Sequence, residues 1–204
     1  MKKMFLASSF NDVTEIFEEF AGNVVGKTVT FIPTASVVEK VNFFVKSGKK
    51  ALEKMGMLID ELEISTATSK DIASKLEKND YIYITGGNTF FLLQELKRSG
   101  ADHIIIEQVN AGKMYIGESA GAIITSPDIE YASAMDSVKK APNLDAFDSL
   151  NLTDFYTVPH HTNAPFKKAV EKIINKYSTS LTLYPISNKE AVLISNDEIE
   201  VRSN

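Results

Sequence analysis

Residues 111–125, AGKMYIGESAGAIIT, place a serine between two glycines, with an apolar strand before it and an alanine-rich helix after it. A serine in that setting can serve as a nucleophile. Gly117 and Gly121 have no Cβ, so strand and helix can approach closely and force Ser119 into a strained, exposed turn. The helix behind that turn aims free N–H groups at any oxyanion forming there. Serine is also a favoured helix cap, and Gly-x-Ser-x-Gly arises by chance. A cap alone does not account for the paired glycines, the preceding strand, and Ala120 and Ala122 where the helix would pack on a sheet. The motif reads as the nucleophile elbow of a serine hydrolase.

A serine hydroxyl needs a base to take its proton, and near neutral pH histidine is the usual one. The chain has three histidines. His103 lies beside Asp102 in a helical stretch and reads as a surface or half-buried helix residue. His160 and His161, in VPHHTN, end a strand on the rim where the elbow should emerge. Strand side chains alternate between faces, so one of the two is expected to reach the serine. Alternatively one His is packed and the other solvated, with Pro159 and Asn163 turning the chain into a helix capped by Thr162 or Asn163. Adjacent strand residues cannot both face one ion, which argues against a zinc site. The base also needs an acceptor on its other ring nitrogen, for which Glu190 and Asp136 are the candidates. Glu118, next to the nucleophile, should point away from the base, in a structural place or at the pocket rim.

A second turn, YIYITGGNTFFLL, ends a buried strand at Gly86-Gly87 and opens a helix at Asn88. Such a turn exposes backbone N–H groups to an anion. It can be a plain connection or a phosphate cradle, although a lone Gly-Gly lacks the spacing of a dinucleotide or P-loop fingerprint. If it faces Ser119, the N–H groups of Gly87 and Ala120 form an oxyanion hole.

Positioning these groups requires a scaffold, and the apolar pattern supplies one. Strand-like runs (KKMFLASS, KTVTFIPT, MLIDELEIS, YIYIT, MYIG) alternate with helical patterns, among them the long SVVEKVNFFVKSGKKALEKMG, NTFFLLQELKRSG between Asn88 and Gly100, and a helix near 102–110. This predicts an α/β fold: a mostly parallel sheet with helices on both faces and its crevice at the carboxyl ends of the strands. Residues 126–152 lose periodicity and are expected to form a lid or pocket wall. A strand, DFYTVPH, and a helix, NAPFKKAVEKIINKYS, follow. Short strands then close the chain, the last two joined by Asn196-Asp197 as a hairpin.

The 204 residues, 44% hydrophobic, suffice for one core, and a single domain over 1–204 is expected. The absence of cysteine excludes a thiol nucleophile, thiolate metal sites and a disulfide framework. A net charge of -5 without a basic cluster argues against nucleic acid as a partner. The apolar run Met4 to Ala7 is too short for a signal peptide, and no stretch has the length of a membrane span. A soluble cytoplasmic protein with no membrane partner is expected; no part of the pattern specifies an oligomeric state.

Together, ITGGNTFFLL, GESAGA followed by Pro127, VPHHTNA and ISNKEAVLI resemble the dipeptidase E family, the aspartyl dipeptidase and cyanophycinase group of serine peptidases. The blocks occur in that family's order over roughly residues 81 to 194. The resemblance implies a flavodoxin-like sandwich related to class I glutamine amidotransferases and a small peptide as substrate. It implies Ser119 as nucleophile, His160 as base, Glu190 as acid, Gly87 and Ala120 as oxyanion donors, and neither metal nor organic cofactor. The order Ser, His, Glu separates the chain from α/β-hydrolases. Members specific for an N-terminal aspartate carry an arginine in a Gly-Glu-Thr-Arg segment after the histidine block, where this chain has APFKKAVEKIINKY. A lysine, Lys167 or Lys168, is a point charge without arginine's bidentate fork and could substitute only loosely, so the resemblance leaves the substrate side-chain preference, Asp-X included, open. A related acyl hydrolase (esterase or isopeptidase) and a catalytically silent binding module are the alternatives.

Overall fold

Successive residues of the first strand, β1 (Lys3–Ala7), enter opposite cores: Met4 and Leu6 pack on one side of the sheet, Phe5 and Ala7 on the other. The same alternation sends Ile82 and Ile84 of β4 (Tyr81–Ile84) to the first core and Tyr81 and Tyr83 to the second. A sheet buried on both faces must be covered by helices on both. The computed structural model, which describes residues 2–204, shows that arrangement.

With β2 (Thr28–Ile32), β3 (Leu58–Glu61) and β5 (Met114–Glu118), these strands form the parallel part of a seven-stranded sheet. Two later strands, β8 (Glu190–Ser195) and β9 (Glu198–Ser203), extend it, giving the order β3-β2-β4-β5-β1-β8-β9. Both new pairings, β8 on β1 and β9 on β8, are antiparallel. Asn196, at φ 57°, opens the β8–β9 hairpin, as Asn-Asp between the two strands predicts.

Helices α1 (Thr14–Ala21) and α2 (Phe43–Lys54) cover one face. The other face carries α3 (Ser69–Lys78), α4 (Thr89–Ser99), α5 (Ala101–Asn110), the single turn α6 (Ala120–Ile123) and α7 (Lys167–Tyr177). The result is an α/β three-layer sandwich. Asn88 Oδ1 caps α4 by accepting from the Phe91 N–H, and Gly100, left-handed at φ 75°, ends it. Among the described residues no helix is long and apolar enough to cross a membrane.

Three expectations are revised. The helical pattern from Ser36 begins as helix only at Phe43, because the chain after β2 first makes a 3-10 turn whose Ala35 carbonyl accepts from the Asn88 N–H. DFYTVPH contributes only β6 (Tyr156–Val158), which leaves the main sheet and pairs in parallel with β7 (Leu183–Pro185). The place beside β1 is already filled by β8. Residues 126–152 are packed chain, with Ile129, Tyr131, Ala132, Leu150 and Leu152 buried in the α4–α7 core. Two 3-10 turns, at Glu130–Ala134 and Val138–Lys140, satisfy part of their backbone.

Candidate active site

Ser119 follows the central strand β5 and holds φ 50° and ψ -105°, a backbone state that costs a non-glycine residue on the order of 1–3 kcal/mol. The turn is fixed from both sides. Its N–H donates to the Ala7 carbonyl at 2.8 Å, and its carbonyl accepts from the N–H groups of Ala122 and Ile123. A Cβ at Gly117 would run into the Gly121 backbone, and one at Gly121 into the Ile84 carbonyl. The two glycines thus let α6 sit directly on β4 and β5. The serine hydroxyl caps nothing in α6, which removes the helix-cap account of this residue and leaves its Oγ free.

That oxygen lies 2.9 Å from Nε2 of His160. The imidazole arrives differently from the strand-end expectation. His160 and Thr162 have left-handed backbones, φ 65° and 67°, in the turn beyond β6, so a tight turn and not strand alternation selects His160 over His161. His161 contributes its main-chain N–H to the Ile186 carbonyl. His103 stands on α5 with its side chain 86% exposed.

The His160 ring stacks on Phe166, centroids 4.8 Å apart. Its main-chain N–H donates to the Ser8 hydroxyl at 2.9 Å, and that hydroxyl donates to the Ile186 carbonyl at 3.0 Å. Ser8, buried just past β1, therefore ties the nucleophile's sheet to both strands of the small sheet.

Nδ1 of His160 lies 2.8 Å from Oδ1 of Asn188. Glu190 does not occupy that position. Its Oε2 accepts from the Ser187 N–H at 2.7 Å, closing the Ser187–Glu190 turn that presents Asn188. Asn163 braces the same turn, its Oδ1 accepting from the Asn188 N–H at 2.9 Å. Asp136 is also elsewhere: it accepts from the Thr89 N–H and hydroxyl at the start of α4. Neither carboxylate hydrogen-bonds His160. An amide carbonyl at Nδ1 makes that nitrogen the donor, so the Nε2 lone pair faces Ser119. Burial holds the His160 pKa below the usual 6.5, opposed by the Asn188 bond, so the ring is neutral at pH 7.

The Gly86-Gly87 turn lies against the serine: a Cβ on Gly86 would come within 3.3 Å of Ser119 Cβ. Gly87, at φ 135°, is pressed onto the Ala35–Ser36 backbone with no room for a side chain. Among the described residues the N–H groups of Gly87 and Ala120 donate to no protein acceptor, and Ala120 is the first residue of α6. Both are available to a developing negative charge. No cluster of three His, Asp or Glu side chains suited to a metal occurs among the described residues.

Sequence reasoning missed Asn188, Ser8 and Phe166. Asn188 stood in the ISNKEAVLI block, two residues from the carboxylate chosen for its chemistry. Ser8 showed only as a small polar residue at a strand end, a signal too common to single out.

The protein-family model of peptidase family S51 matches residues 4–202. An uncharacterized peptidase of Listeria monocytogenes is 59% identical over 98% of this chain and 97% of its own length. Peptidase E of Haemophilus influenzae is 32% identical over 78% of this chain and 73% of its own. A crystal structure of a Listeria monocytogenes protein described as a candidate peptidase E superposes with a TM-score of 0.97 at 58% identity, covering 100% of this chain and 99% of that one.

Proposed function

The chain belongs to peptidase family S51, serine peptidases of the peptidase E kind, and from that membership we propose that it cleaves small peptides near their N-terminus by acylation of Ser119. The observation that carries the mechanism is the 2.9 Å approach of Ser119 Oγ to His160 Nε2. His160 takes the hydroxyl proton as Oγ attacks the scissile carbonyl. The oxyanion is held by the N–H groups of Gly87 and Ala120, each donor worth on the order of 3 kcal/mol in the transition state. The imidazolium then gives its proton to the leaving amine. Water, deprotonated by the same imidazole, releases the acyl group and restores the serine.

Asn188 stands where a triad has its acid. Its carbonyl fixes the tautomer and the ring plane without a counter-charge for the imidazolium. Glu190 acts at one remove, through the turn that presents Asn188. The strained backbone of Ser119 and a hydroxyl that caps no helix but meets His160 support the nucleophile assignment over a purely structural one.

Labelling with a fluorophosphonate, alongside turnover of a dipeptide and tripeptide panel, tests this reading. We expect labelling and peptide turnover in the wild type and neither in Ser119→Ala. Labelling that persists in the variant would reject Ser119 as the nucleophile, and ester turnover with no peptide cleavage on any panel would reject the peptidase mechanism.

A further inference from the structure

Glu118 is a buried acid, 4% exposed, immediately before the nucleophile, and the mechanism above gives it no proton to move. We propose that it is a positioning residue whose carboxylate fastens β4, the strand that leads into the Gly86-Gly87 turn, and the turn after β1 to the nucleophile's strand, and so sets the Gly87 N–H against Ser119. The proposal rests on the assignment of Ser119 and Gly87 under Proposed function.

The bonding pattern points to the rim and not to the core. β5 lies between β4 and β1, and the carboxylate at its end reaches both neighbours. Oε1 accepts from the Phe10 N–H, in the turn after β1, at 3.0 Å, and Oε2 accepts from the Tyr83 hydroxyl of β4 at 3.0 Å. The Gly86 N–H, in the turn after β4, lies near the carboxylate and favours its charged form. One side chain thus ties together the ends of three central strands at the level of the serine. Helix α2 closes the site from above through Gly48, where a Cβ would lie 2.5 Å from the Tyr83 hydroxyl and 3.7 Å from Glu118 Oε2. A mid-helix glycine is costly, and here it leaves room for the Tyr83–Glu118 pair. The far end of the same turn is held by a second carboxylate, the half-buried Asp136, on the Thr89 N–H.

Stability is a poor explanation for this arrangement. No lysine or arginine pairs with Glu118, and an uncompensated buried carboxylate is costly even with good donors. A neutral filler of similar volume would serve the core at least as well. The carboxylate has something a filler lacks, which is an acceptor oxygen for each of two separate elements, the turn after β1 and strand β4.

The groups facing Glu118 are Tyr83 from β4, Asp12 and the Phe10 N–H from the 3-10 turn after β1, the Gly86 N–H, and the uncharged Gly48 of α2. Burial, with a smaller push from Asp12, raises its pKa to about 7 against the lowering effects of Phe10, Tyr83 and the nearby Gly86 N–H. A protonated carboxyl carries a hydrogen on one of these two oxygens and accepts poorly there, so the link between β5, β4 and the turn after β1 loosens as the pH falls. The kcat should therefore rise with pH through an ionisation near 7, separate from that of His160, which lies below its usual value.

The test uses full-length protein, with kcat and KM measured across pH and amide resonances recorded in parallel. In the wild type the Phe10 and Gly86 amides should titrate together with a midpoint matching the kcat limb. Glu118→Gln keeps the volume but turns an NH2 toward donors. It should abolish both titrations and lower kcat about tenfold or more, with KM changed less than about twofold. Tyr83→Phe removes one donor and leaves the tether, so the limb should move to higher pH; this variant decides the matter if Glu118→Gln does not fold. The proposal is overturned if Phe10 and Gly86 do not titrate together in the wild type, if the kcat limb near 7 persists in Glu118→Gln, or if Tyr83→Phe leaves that limb in place. Were the wild type neither to hydrolyse peptides nor to be labelled, the functional reading would fall, while the amide titrations and their loss in Glu118→Gln would still decide whether the tether exists.

Discussion

His160 Nδ1 and Asn188 Oδ1 are 2.8 Å apart, so the base is oriented by an amide and not by a carboxylate. A carboxylate there would both fix the tautomer and stabilise the imidazolium; an amide supplies only the first. Asn188→Ala should lower kcat by roughly 10-fold to 100-fold with little change in KM, because the ring loses its orientation and not its contact with substrate. Asn188→Asp should raise the His160 pKa, since an opposite charge favours the imidazolium. Imidazole resonances followed against pH read the second effect directly, and an unchanged midpoint in Asn188→Asp would reject the assigned contact.

In the wild type the same resonances should titrate below the ordinary histidine value of 6.5, because burial disfavours the charged ring. The neutral ring is the active form, so the Ser119–His160 pair should stay competent at pH values where an exposed histidine is already half protonated. In Glu118→Gln this lower ionisation should be the one left on the acid side of the kcat profile.

Stability should decline as the pH rises through the neutral range, above the acid range in which Asp60, Asp80 and Asp148, with lowered pKa values, act in the opposite sense. Burial raises Glu118 from 4.5 to about 7 and Asp136 from 3.8 to about 6. The folded chain therefore holds these protons more tightly than the unfolded one. The stabilisation is complete below the unfolded values and is lost as the pH passes through about 6 and about 7. His160, with a lowered pKa, acts in the opposite sense below 6.5. Thermal unfolding should give a lower midpoint near pH 8 than near pH 6, and Asp136→Asn should flatten that slope; a midpoint that rises over this interval would contradict both assignments.

Gly121→Ala should be among the most damaging single-methyl additions to the chain. The new Cβ would meet the Ile84 carbonyl, so α6 would have to lift off β4 and carry Ala120 and Ser119 with it. A loss of about 1–3 kcal/mol in denaturant unfolding is expected, with fluorophosphonate labelling of the folded fraction slowed. Wild-type labelling in a destabilised variant would show that the elbow does not depend on this approach.

Ser8→Ala removes one hydroxyl and strands the His160 N–H, while the Ile186 carbonyl keeps its bond from the His161 N–H. A stability cost of about 1–3 kcal/mol follows from the N–H left unpaired. Slower acylation of Ser119 should accompany it, because the turn that aims the imidazole is released. Equal labelling rates in Ser8→Ala and wild type would place the His160 turn under other control.

The central scaffold was legible because its signals are local. Short unbroken apolar runs such as MFLA and YIYI, the Asn88 cap, the Gly100 stop and the Asn196-Asp197 hairpin each act within a few residues. The serine turn was legible for the same reason, its glycines being adjacent to it in sequence. The partners of His160 were not. Asn188 reaches the ring from 28 residues away, and a preference for carboxylates as triad acids pointed to Glu190, which supports the same turn from the other side. The departure of β6 from the main sheet was equally hidden, since a buried three-residue strand carries no mark of which partner it will take.

The Ser8 clamp has a consequence for how the chain comes to life. His160 meets Ser8 across 152 positions of sequence, and Ser8 meets the Ile186 carbonyl across 178. Contacts of that range close late, after local structure has formed. A growing or half-folded chain can therefore display the serine turn while the imidazole is still loose, and a serine without its base is inert toward amides. Hydrolytic competence is withheld until the first strand and the last third of the polypeptide have met, which spares the emerging chain and its neighbours from a prematurely armed hydroxyl.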